Sequence, residues 1–332
     1  CGELRVTLMP TVSIITPFHN TAQYLGECIE SVLSQTFADF EYLLVDNAST
    51  DGSLEIAQEY ASRDPRIRVI HFHELLPQVP NYNRALRLAD QTADYCKIAQ
   101  ADDMLLPRCI EEMVVRANSD PDIGLVGAYS ISQNRVFLDG LDFYETIIDG
   151  NQFVARYLMD GPYMLGNPTS HLYRMSDVLQ RVPFYPESSP VADADTAVQL
   201  VLGRKFGFVH QTLVFCRRSN ESISKRRKNY NMNVLTRRVL LEKYGRRVLG
   251  ENVFVRWQKK LARRHNRVLG AGWLGRMDDG FWAFHREGLQ DAGLTVSRAA
   301  VASGAITVLL RSLLNLEEAL RQPYERLTSR DR

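Results

Sequence analysis

Short apolar runs alternate with amphipathic segments along the first 130 residues of the chain. The runs at 11–16, 40–45, 67–70, 95–99 and 123–129 are rich in aliphatic and β-branched residues, and each has the length of a buried strand. Between them, apolar residues recur every three or four positions, which is typical of helices with one buried face. Strands that alternate with helices of about 10–15 residues predict βαβ units and a mostly parallel sheet.

Local sequence signals predict where two of the helices begin. Asn20 and Gln23 have the spacing of a capping box, so we expect the first helix to begin at Asn20. Pro107 suits the first turn of a helix whose buried face contains Ile110 and Met113.

Beyond residue 130 the periodicity is less regular. A Gly- and Pro-rich loop is expected at 161–168, where it would shape a pocket. From about residue 230 onward the pattern indicates basic helices. The remaining predicted elements are helices at 81–88, 151–159, 193–201, 234–244 and 253–267, and strands at 171–173 and 206–215.

Charge is distributed unevenly along the chain. Of its 332 residues, 45% are hydrophobic and 24% are charged, as in ordinary soluble proteins, and this length predicts two domains or one domain with an appendage. Residues 1–220 carry 17 basic and 28 acidic side chains, whereas residues 221–332 carry 23 and 11. The densest basic segment is 225–267, with 15 Lys or Arg against two acids. We therefore expect two regions with different partners.

The cysteines and the apolar stretches bear on the cellular compartment. The five cysteines have no metal-like spacing, and Cys28, Cys96 and Cys109 fall in apolar patterns typical of reduced core residues. No N-terminal signal-peptide pattern is visible, and the longest apolar stretch, near 299–310, is too short to span a membrane. We expect a cytoplasmic protein, with peripheral attachment to the inner face of the membrane left open.

Polar residues cluster where three of the predicted strands end. They are residues 17–20 after the first strand, Asp46 and Asn47 after the second, and Asp102 and Asp103 after the fourth. Ligands of parallel sheets bind at the carboxyl ends of the strands, so these groups predict a binding site at one edge. No Gly-x-Gly-x-x-Gly or P-loop pattern follows the first strand, which argues against a dinucleotide enzyme or a P-loop NTPase.

The adjacent carboxylates of Asp102 and Asp103 allow two interpretations. An ionised carboxylate at the end of a buried strand requires a compensating charge or water. A divalent metal that holds a phosphate group is one candidate. A solvated strand end before a helix N-terminus, where acids are favoured, is the other.

The order of these motifs resembles that of family 2 glycosyltransferases with the GT-A fold. The resemblance rests on the runs at 12–20, 25–37 and 39–53 and on Asp102-Asp103 followed by Pro107. It extends over about residues 11–220 and implies an α/β, Rossmann-like, mostly parallel sheet flanked by helices. The implied domains are a GT-A domain at 1–222 and a basic, mainly helical C-terminal extension at 223–332. The GT-A domain would have a donor half at about 11–130 and an acceptor half at about 131–222.

The resemblance implies an inverting enzyme that moves a sugar from a nucleotide diphosphate sugar, a UDP-sugar being favoured, to a hydroxyl group. The expected acceptor is a glycan or a lipid-linked glycan in cell-surface glycan or polysaccharide synthesis. Mn²⁺ or Mg²⁺ would stabilise the departing diphosphate, because these cations prefer carboxylate oxygens. An Asp would act as general base on the acceptor hydroxyl.

The resemblance also implies roles for individual residues. The expected donor-binding residues are Pro17, Phe18, His19, Asn20, Asp46, Asn47, Asn83, Asp102 and Asp103. Asp103 is the expected metal ligand, with Asp102 towards the ribose or the metal, and Asp193 is the expected general base, with Asp195 as the second choice. The chain departs from the family pattern at three positions. They are Asn47 in place of a carboxylate, Tyr82 in place of an arginine, and Ser219 in place of a metal-binding histidine.

Several alternatives stay open. Asp193 and Asp195 would also serve as helix caps. The basic segment 225–267 is either a solvated helical face or a surface for anionic lipid headgroups, and nucleic-acid binding is disfavoured because interleaved aromatic residues are sparse. The alternative function is a non-catalytic module on the same fold that binds a nucleotide sugar or a partner. A nucleotidyltransferase would need a Gly-rich basic loop, which residues 17–20 do not provide.

Overall fold

The computed structural model describes residues 11–217 and 230–328, without the side chains of 315–328. The chain divides into two compact units, Cys1–Asn220 and Glu221–Arg332.

The first half of the N-terminal unit is a parallel sheet with strand order β3-β2-β1-β4. Buried apolar runs form these strands, and the helices between them cover the sheet with their apolar faces. The elements are β1 (Val12–Phe18), α1 (Ala22–Leu33), β2 (Phe40–Asn47), α2 (Ser53–Arg63), β3 (Ile67–Phe72), α3 (Gln78–Leu86) and β4 (Tyr95–Ile98). The predicted βαβ pattern is confirmed in this half.

The second half of this unit makes the sheet mixed. Strand β10 runs parallel to β6, but β5, β7, β8 and β9 all pair antiparallel to their neighbours. The elements are β5 (Met104–Leu105), α4 (Cys109–Asn118), β6 (Ile123–Ser132), β7 (Arg135–Phe137), β8 (Ile147–Asp149), α5 (Gly150–Leu158), β9 (His171–Arg174), α6 (Met175–Gln180), α7 (Ala192–Val201) and β10 (Lys205–Phe215). A tight turn joins β6 to β7, so no crossover helix fits between them.

The C-terminal unit is helical in its described part. It contains α8 (Met232–Val248), α9 (Glu251–Leu274), α10 (Asp279–Asp291) and α11 (Arg298–Thr328). The two predicted basic helices are α8 and α9. Helix α11 packs closely on α9, because a methyl group added to Gly270 or Gly304 would overlap backbone atoms of the other helix. Among the described helices, none is long and apolar enough to cross a membrane.

Candidate functional site

The carboxyl ends of β1, β2 and β3 lie side by side at one edge of the sheet. The parallel registers pair Phe18 with Asp46, and Asp46 with His71. Pro17 and Phe18 are buried where β1 ends. Two of the predicted polar groups are therefore neighbours, at the edge where parallel sheets bind ligands.

Asn20 joins the loop after β1 to the loop after β2 and does not cap α1. Its backbone is left-handed, with φ at 51°, and its Oδ1 accepts a hydrogen bond from Thr50 N at 2.8 Å. Asn20 N donates to Ser49 Oγ at 3.0 Å. The predicted capping box with Gln23 is wrong, because this long-range contact uses the Asn20 side chain and the helix begins at Ala22.

Asp46 is a buried carboxylate that contacts a histidine on the next strand. Its Oδ2 lies 2.6 Å from His71 Nδ1, and its Oδ1 accepts from Ser49 N at 3.1 Å. His71 Nε2 lies 3.0 Å from Nδ1 of His73, which is exposed. Neither histidine is among the residues expected from the sequence. Their spacing of two residues at the end of β3 is the sequence signal that both side chains lie on one face of the sheet, because alternate strand residues point to the same face.

Asn47 needs its amide group, which explains why a carboxylate is absent at this position. Its Nδ2 donates to Leu76 O at 2.9 Å, and its Oδ1 accepts from Leu76 N at 3.0 Å. Arg84 Nη2 also donates to Asn47 Oδ1 at 2.7 Å, and its guanidinium lies 3.7 Å from the centroid of the Phe72 ring. His19 Nδ1 lies 2.8 Å from Asn47 O. Asn47 thus fixes the loop after β3 at the edge of the site.

Asn83 contacts the segment that precedes α7. Its Oδ1 accepts from Tyr185 N at 2.9 Å, and its Nδ2 donates to Tyr185 O and Glu187 Oε1, each at 2.9 Å. These contacts position that segment, and the expected contact of Asn83 with the donor stays a prediction. Tyr82, in place of the arginine, accepts a hydrogen bond from Gln100 Nε2 at 3.1 Å.

Asp103 lies almost entirely inside the protein, with 4% of its surface exposed. Its Oδ2 accepts from Thr169 Oγ1 at 2.6 Å, and its Oδ1 accepts from Arg217 N at 3.0 Å. Burial, together with the charge of Asp102, raises the pKa of Asp103 to about 7. Burial also raises the pKa of Asp102, which is the more exposed of the two.

A buried lysine positions the segment that carries Thr169. Lys97, in β4, is fully buried, and its Nζ donates to Thr169 O and, at 3.0 Å, to His171 O. Burial lowers the pKa of Lys97. Gln100 N donates to Thr169 Oγ1 at 3.2 Å. The hydroxyl that binds Asp103 is therefore held in place from β4, and a lysine inside an apolar run is the sequence signal for this role.

Arg217 brings a cation to the pair of carboxylates. Its Nε donates to Asp102 O at 3.2 Å, and its guanidinium pairs with Glu27 and lies 4.7 Å from the centroid of the Tyr24 ring. Arg217 follows β10 directly, and β10 pairs with β5 beside Asp103. The expected departure at Ser219 falls outside the described residues.

The carboxylates of Asp102 and Asp103 fit a hard divalent cation. Carboxylate oxygens are the ligands that Mg²⁺ and Mn²⁺ prefer. Burial, the main cause of the raised pKa of both groups, disfavours the ionised forms that a bound cation would stabilise. Within 11–217 and 230–328, no group of three or more His, Cys, Asp or Glu side chains is arranged to hold a metal. Further ligands would come from the diphosphate or water.

Asp193 and Asp195 differ sharply in their surroundings. Asp195 is completely buried, and its Oδ1 accepts from Gln199 Nε2 at 3.2 Å within the same helix. Asp193 is partly exposed in the first turn of α7, and its Oδ1 accepts from Ala194 N at 2.8 Å. Asp193 is thus the more accessible of the two, and its role as base stays a prediction.

Two tyrosines connect the surroundings of Asp193 to those of Asp102. Burial is the main cause of the raised pKa of Tyr185, and the charge of Asp193 adds to it. The ring centroid of Tyr185 lies 6.4 Å from that of Tyr82. Burial raises the pKa of Tyr82 to about 12, with a contribution from Asp102. The segment that precedes α7 therefore lies beside α3.

A mixed sheet with acidic residues at the carboxyl ends of its parallel strands defines an α/β protein of the GT-A type. The chain belongs to glycosyl transferase family 2, whose model matches residues 13–178, half of its length. This confirms the resemblance that the motifs indicate.

A curated relative agrees with this family, and solved structures agree with the fold. The chain is 36% identical over 94 residues to a putative teichuronic acid biosynthesis glycosyltransferase, TuaG, of Bacillus subtilis, covering 28% of this chain and 36% of TuaG. It resembles S. aureus TarS in complex with UDP-GlcNAc (TM-score 0.61, 17% identity, 85% of this chain and 80% of that one). It also resembles the mannosyltransferase PcManGT of Pyrobaculum calidifontis in complex with GDP-Man and Mn²⁺ (TM-score 0.52, 16% identity, 91% and 88%). The chain spans between 19% and 45% of the length of the first three curated relatives.

Proposed function

We propose that this chain is an inverting glycosyltransferase that moves a sugar from a nucleotide diphosphate sugar to a hydroxyl acceptor. The observation that carries the proposal is the convergence of Asp46, Asp102 and Asp103 at one sheet edge, in a chain of family 2. These positions are the ones where an α/β sheet binds its ligand.

The strand ends β1–β3 would bind the nucleotide. The nucleobase would bind beside Asp46 and its partner His71, with His19 and Asn20 at the same strand ends. A UDP-sugar is the favoured donor, and the complex of TarS with UDP-GlcNAc supports it. The complex of PcManGT with GDP-Man makes a GDP-sugar the donor to test against it.

Asp102 and Asp103 would hold the divalent cation, which supplies charge stabilisation to the departing diphosphate. Mn²⁺ in PcManGT supports this assignment. Thr169 and the backbone N–H of Arg217 keep the Asp103 carboxylate oriented, and the Arg217 guanidinium adds positive charge beside Asp102.

Asp193 would act as general base for the acceptor. Its carboxylate takes the proton of the acceptor hydroxyl as that oxygen attacks the anomeric carbon. The bond from the anomeric carbon to the diphosphate oxygen breaks on the opposite face, so the configuration inverts and the electron pair leaves with the diphosphate. Such a base contributes about 10²–10⁴-fold to the rate.

The acceptor would be a glycan or a lipid-linked glycan at the cytoplasmic face of the membrane. The biosynthetic role in the name of TuaG supports polysaccharide or cell-wall glycan synthesis. The alternative of a non-catalytic module on this fold loses support from the structure, because the unusual Asn47 has a local role in holding Leu76.

Donor binding and donor turnover test the proposal separately. UDP-, GDP- and dTDP-sugars, each with and without Mn²⁺, are screened for a rise in the melting temperature, since ligands stabilise the state they bind. Donor hydrolysis is then compared in wild type, Asp193→Asn and Asp195→Asn. We expect Asp193→Asn to bind donor normally and to lose at least 100-fold in turnover. Absence of binding by all donors would refute the proposal, and full turnover in Asp193→Asn would refute the base.

A further inference from the structure

Helix α11 buries Gly304 and Ala305 and exposes five larger apolar residues. Gly304 and Ala305 pack against α9, where a methyl group on Gly304 would overlap Asn266 O. Five leucine and isoleucine side chains on α11 are each between 52% and 63% exposed. They form the apolar stripe, which consists of Ile306, Leu309, Leu310, Leu313 and Leu314. Positions i, i+3, i+4, i+7 and i+8 lie on one side of a helix, so the stripe is continuous.

A group of cations lies on the two helices that pack together here. The basic cluster consists of Arg256, Lys259, Arg263 and Arg267 on α9 and Arg311 on α11. In the part of the chain that the structure describes, none of the five pairs with a carboxylate. Burial lowers the pKa of Arg267, and the charges of Arg311 and Arg264 lower it further, so these guanidinium groups lie near one another. Such a cluster favours an anionic partner.

An occupant that covers the stripe and also contacts Arg311, which lies on the same helix, must satisfy leucine side chains and cations at once. Nucleic acid matches the cations but leaves the stripe in water. A second copy of this unit covers the stripe but brings together two units whose sequences, at 221–332, each carry 23 basic and 11 acidic residues. An anionic bilayer supplies acyl chains for apolar side chains and headgroup charge for Lys and Arg.

We propose that the C-terminal unit binds the surface of an anionic lipid bilayer. The apolar stripe of α11 enters the boundary between headgroups and acyl chains, and the basic cluster contacts the headgroups. The helix lies on the bilayer, since no described helix meets the requirements for crossing it. The expected lipid-binding segment at 225–267 does not include the stripe, so the proposal moves the apolar contact to α11. Residues 225–229 of that segment lie outside the described part of the chain.

The proposal stands apart from sugar transfer, because lipid binding is measured without donor or acceptor. The full chain is mixed with vesicles of phosphatidylcholine containing phosphatidylglycerol, and with vesicles of phosphatidylcholine alone, and the bound fraction is measured by flotation. Leu309→Ser/Leu313→Ser removes two of the five apolar side chains of the stripe, and Arg267→Gln/Arg311→Gln removes two of the five cations of the basic cluster. Matched controls in the other unit are Val115→Ser, at an exposed apolar residue of α4, and Arg87→Gln, at an exposed arginine.

We expect tight binding to the anionic vesicles alone. Each cation near such a surface is worth about fivefold in affinity, so the arginine pair should weaken binding about 25-fold. The leucine pair should weaken it at least tenfold, and both controls should bind like wild type. Circular dichroism checks that each variant keeps its helices.

Three results would overturn the proposal. The first is no binding to anionic vesicles at about 0.1 M salt, and the second is equal binding to both kinds of vesicle. The third is light scattering that shows oligomers which Leu309→Ser/Leu313→Ser converts to monomers, while vesicle binding stays unchanged. That result would assign the stripe to a contact between copies of the chain.

Discussion

Thr169 donates its hydroxyl hydrogen to Asp103 Oδ2 over 2.6 Å, and the main-chain carbonyl of the same residue accepts a hydrogen bond from the buried Lys97. One residue thus connects the interior of β4 to the carboxylate at the end of that strand. The orientation of Asp103 depends on a hydroxyl that lies far away in the sequence.

Replacing Thr169 with valine should weaken Mn²⁺ binding. The loss of affinity should exceed that of a control variant with a similar loss in the free energy of unfolding. Valine has nearly the same shape but no hydroxyl, so Asp103 loses the hydrogen bond from Thr169, at a cost of about 1–3 kcal/mol. Mn²⁺ affinity is measured by electron paramagnetic resonance, and the free energy of unfolding by urea titration. Thr236→Val, which removes a buried hydroxyl bonded to Met232 O at 2.9 Å, is the control. Equal Mn²⁺ affinity in all three proteins would contradict this role.

Asn47→Asp should destabilise the loop after β3. Aspartate cannot donate to Leu76 O, which would then face a carboxylate oxygen, so we expect a loss of about 1–3 kcal/mol. Urea denaturation measures the loss. The control is Asn118→Asp, because Asn118 accepts a hydrogen bond from Tyr95 OH at 2.6 Å and an aspartate accepts it equally well. A more stable Asn47→Asp protein with tighter donor binding would show that the position recognises the base directly.

We expect the Arg217 guanidinium, which lies beside Asp102, to contact the diphosphate of the donor. Arg217→Met should then reduce donor affinity about tenfold or more, because a hydrogen bond involving a charged group contributes about 1.5–3 kcal/mol. The backbone N–H that binds Asp103 remains, so the variant separates the guanidinium from the main-chain contact. Isothermal titration with UDP measures the affinity. Glu27→Gln, which removes the partner of the guanidinium, is the comparison and should retain donor binding. Unchanged affinity in Arg217→Met would limit Arg217 to its main-chain role.

The C-terminal unit should lose stability as the pH falls below about 6.5. His265 Nε2 lies 2.9 Å from His285 Nδ1 in its core. Burial lowers the pKa of His265 to about 3 and that of His285 to about 4. The unfolded chain therefore binds more protons between these values and 6.5, and each histidine removes about 1.4 kcal/mol per pH unit in that window.

Tryptophan fluorescence can follow this loss in one unit alone, because Trp257, Trp273 and Trp282 are the three tryptophans of the chain. Urea titrations at pH 7.5 and 5.5 should differ by about 2–3 kcal/mol in wild type. The His265→Gln/His285→Gln double variant should show a much smaller difference, although it is less stable at both pH values. The same pH dependence in wild type and double variant would contradict the assignment.

The sequence predicts the strands of four or more residues, because most of them are apolar runs whose pattern is local, but it misses β5, β7 and β8, which have only two or three residues each. It also identifies the acidic strand ends, since their polarity contrasts with the apolar run before them. Asn20 is misassigned as a cap because its partner, Thr50, is set by the packing of two loops. Thr169 and Arg217 are missed for a similar reason: both reach Asp103 through strand pairings that no local pattern encodes.

Strand β10 lies between β6 and β5, and it follows the segment matched by the family model, which ends at residue 178. A truncated chain that stops there would expose the edge of β6, which invites aggregation, and would lack Asp193 and the N–H that binds Asp103. Chimeras that exchange acceptor preference between relatives should therefore be joined after β10, so that the smallest transplantable piece extends through residue 217.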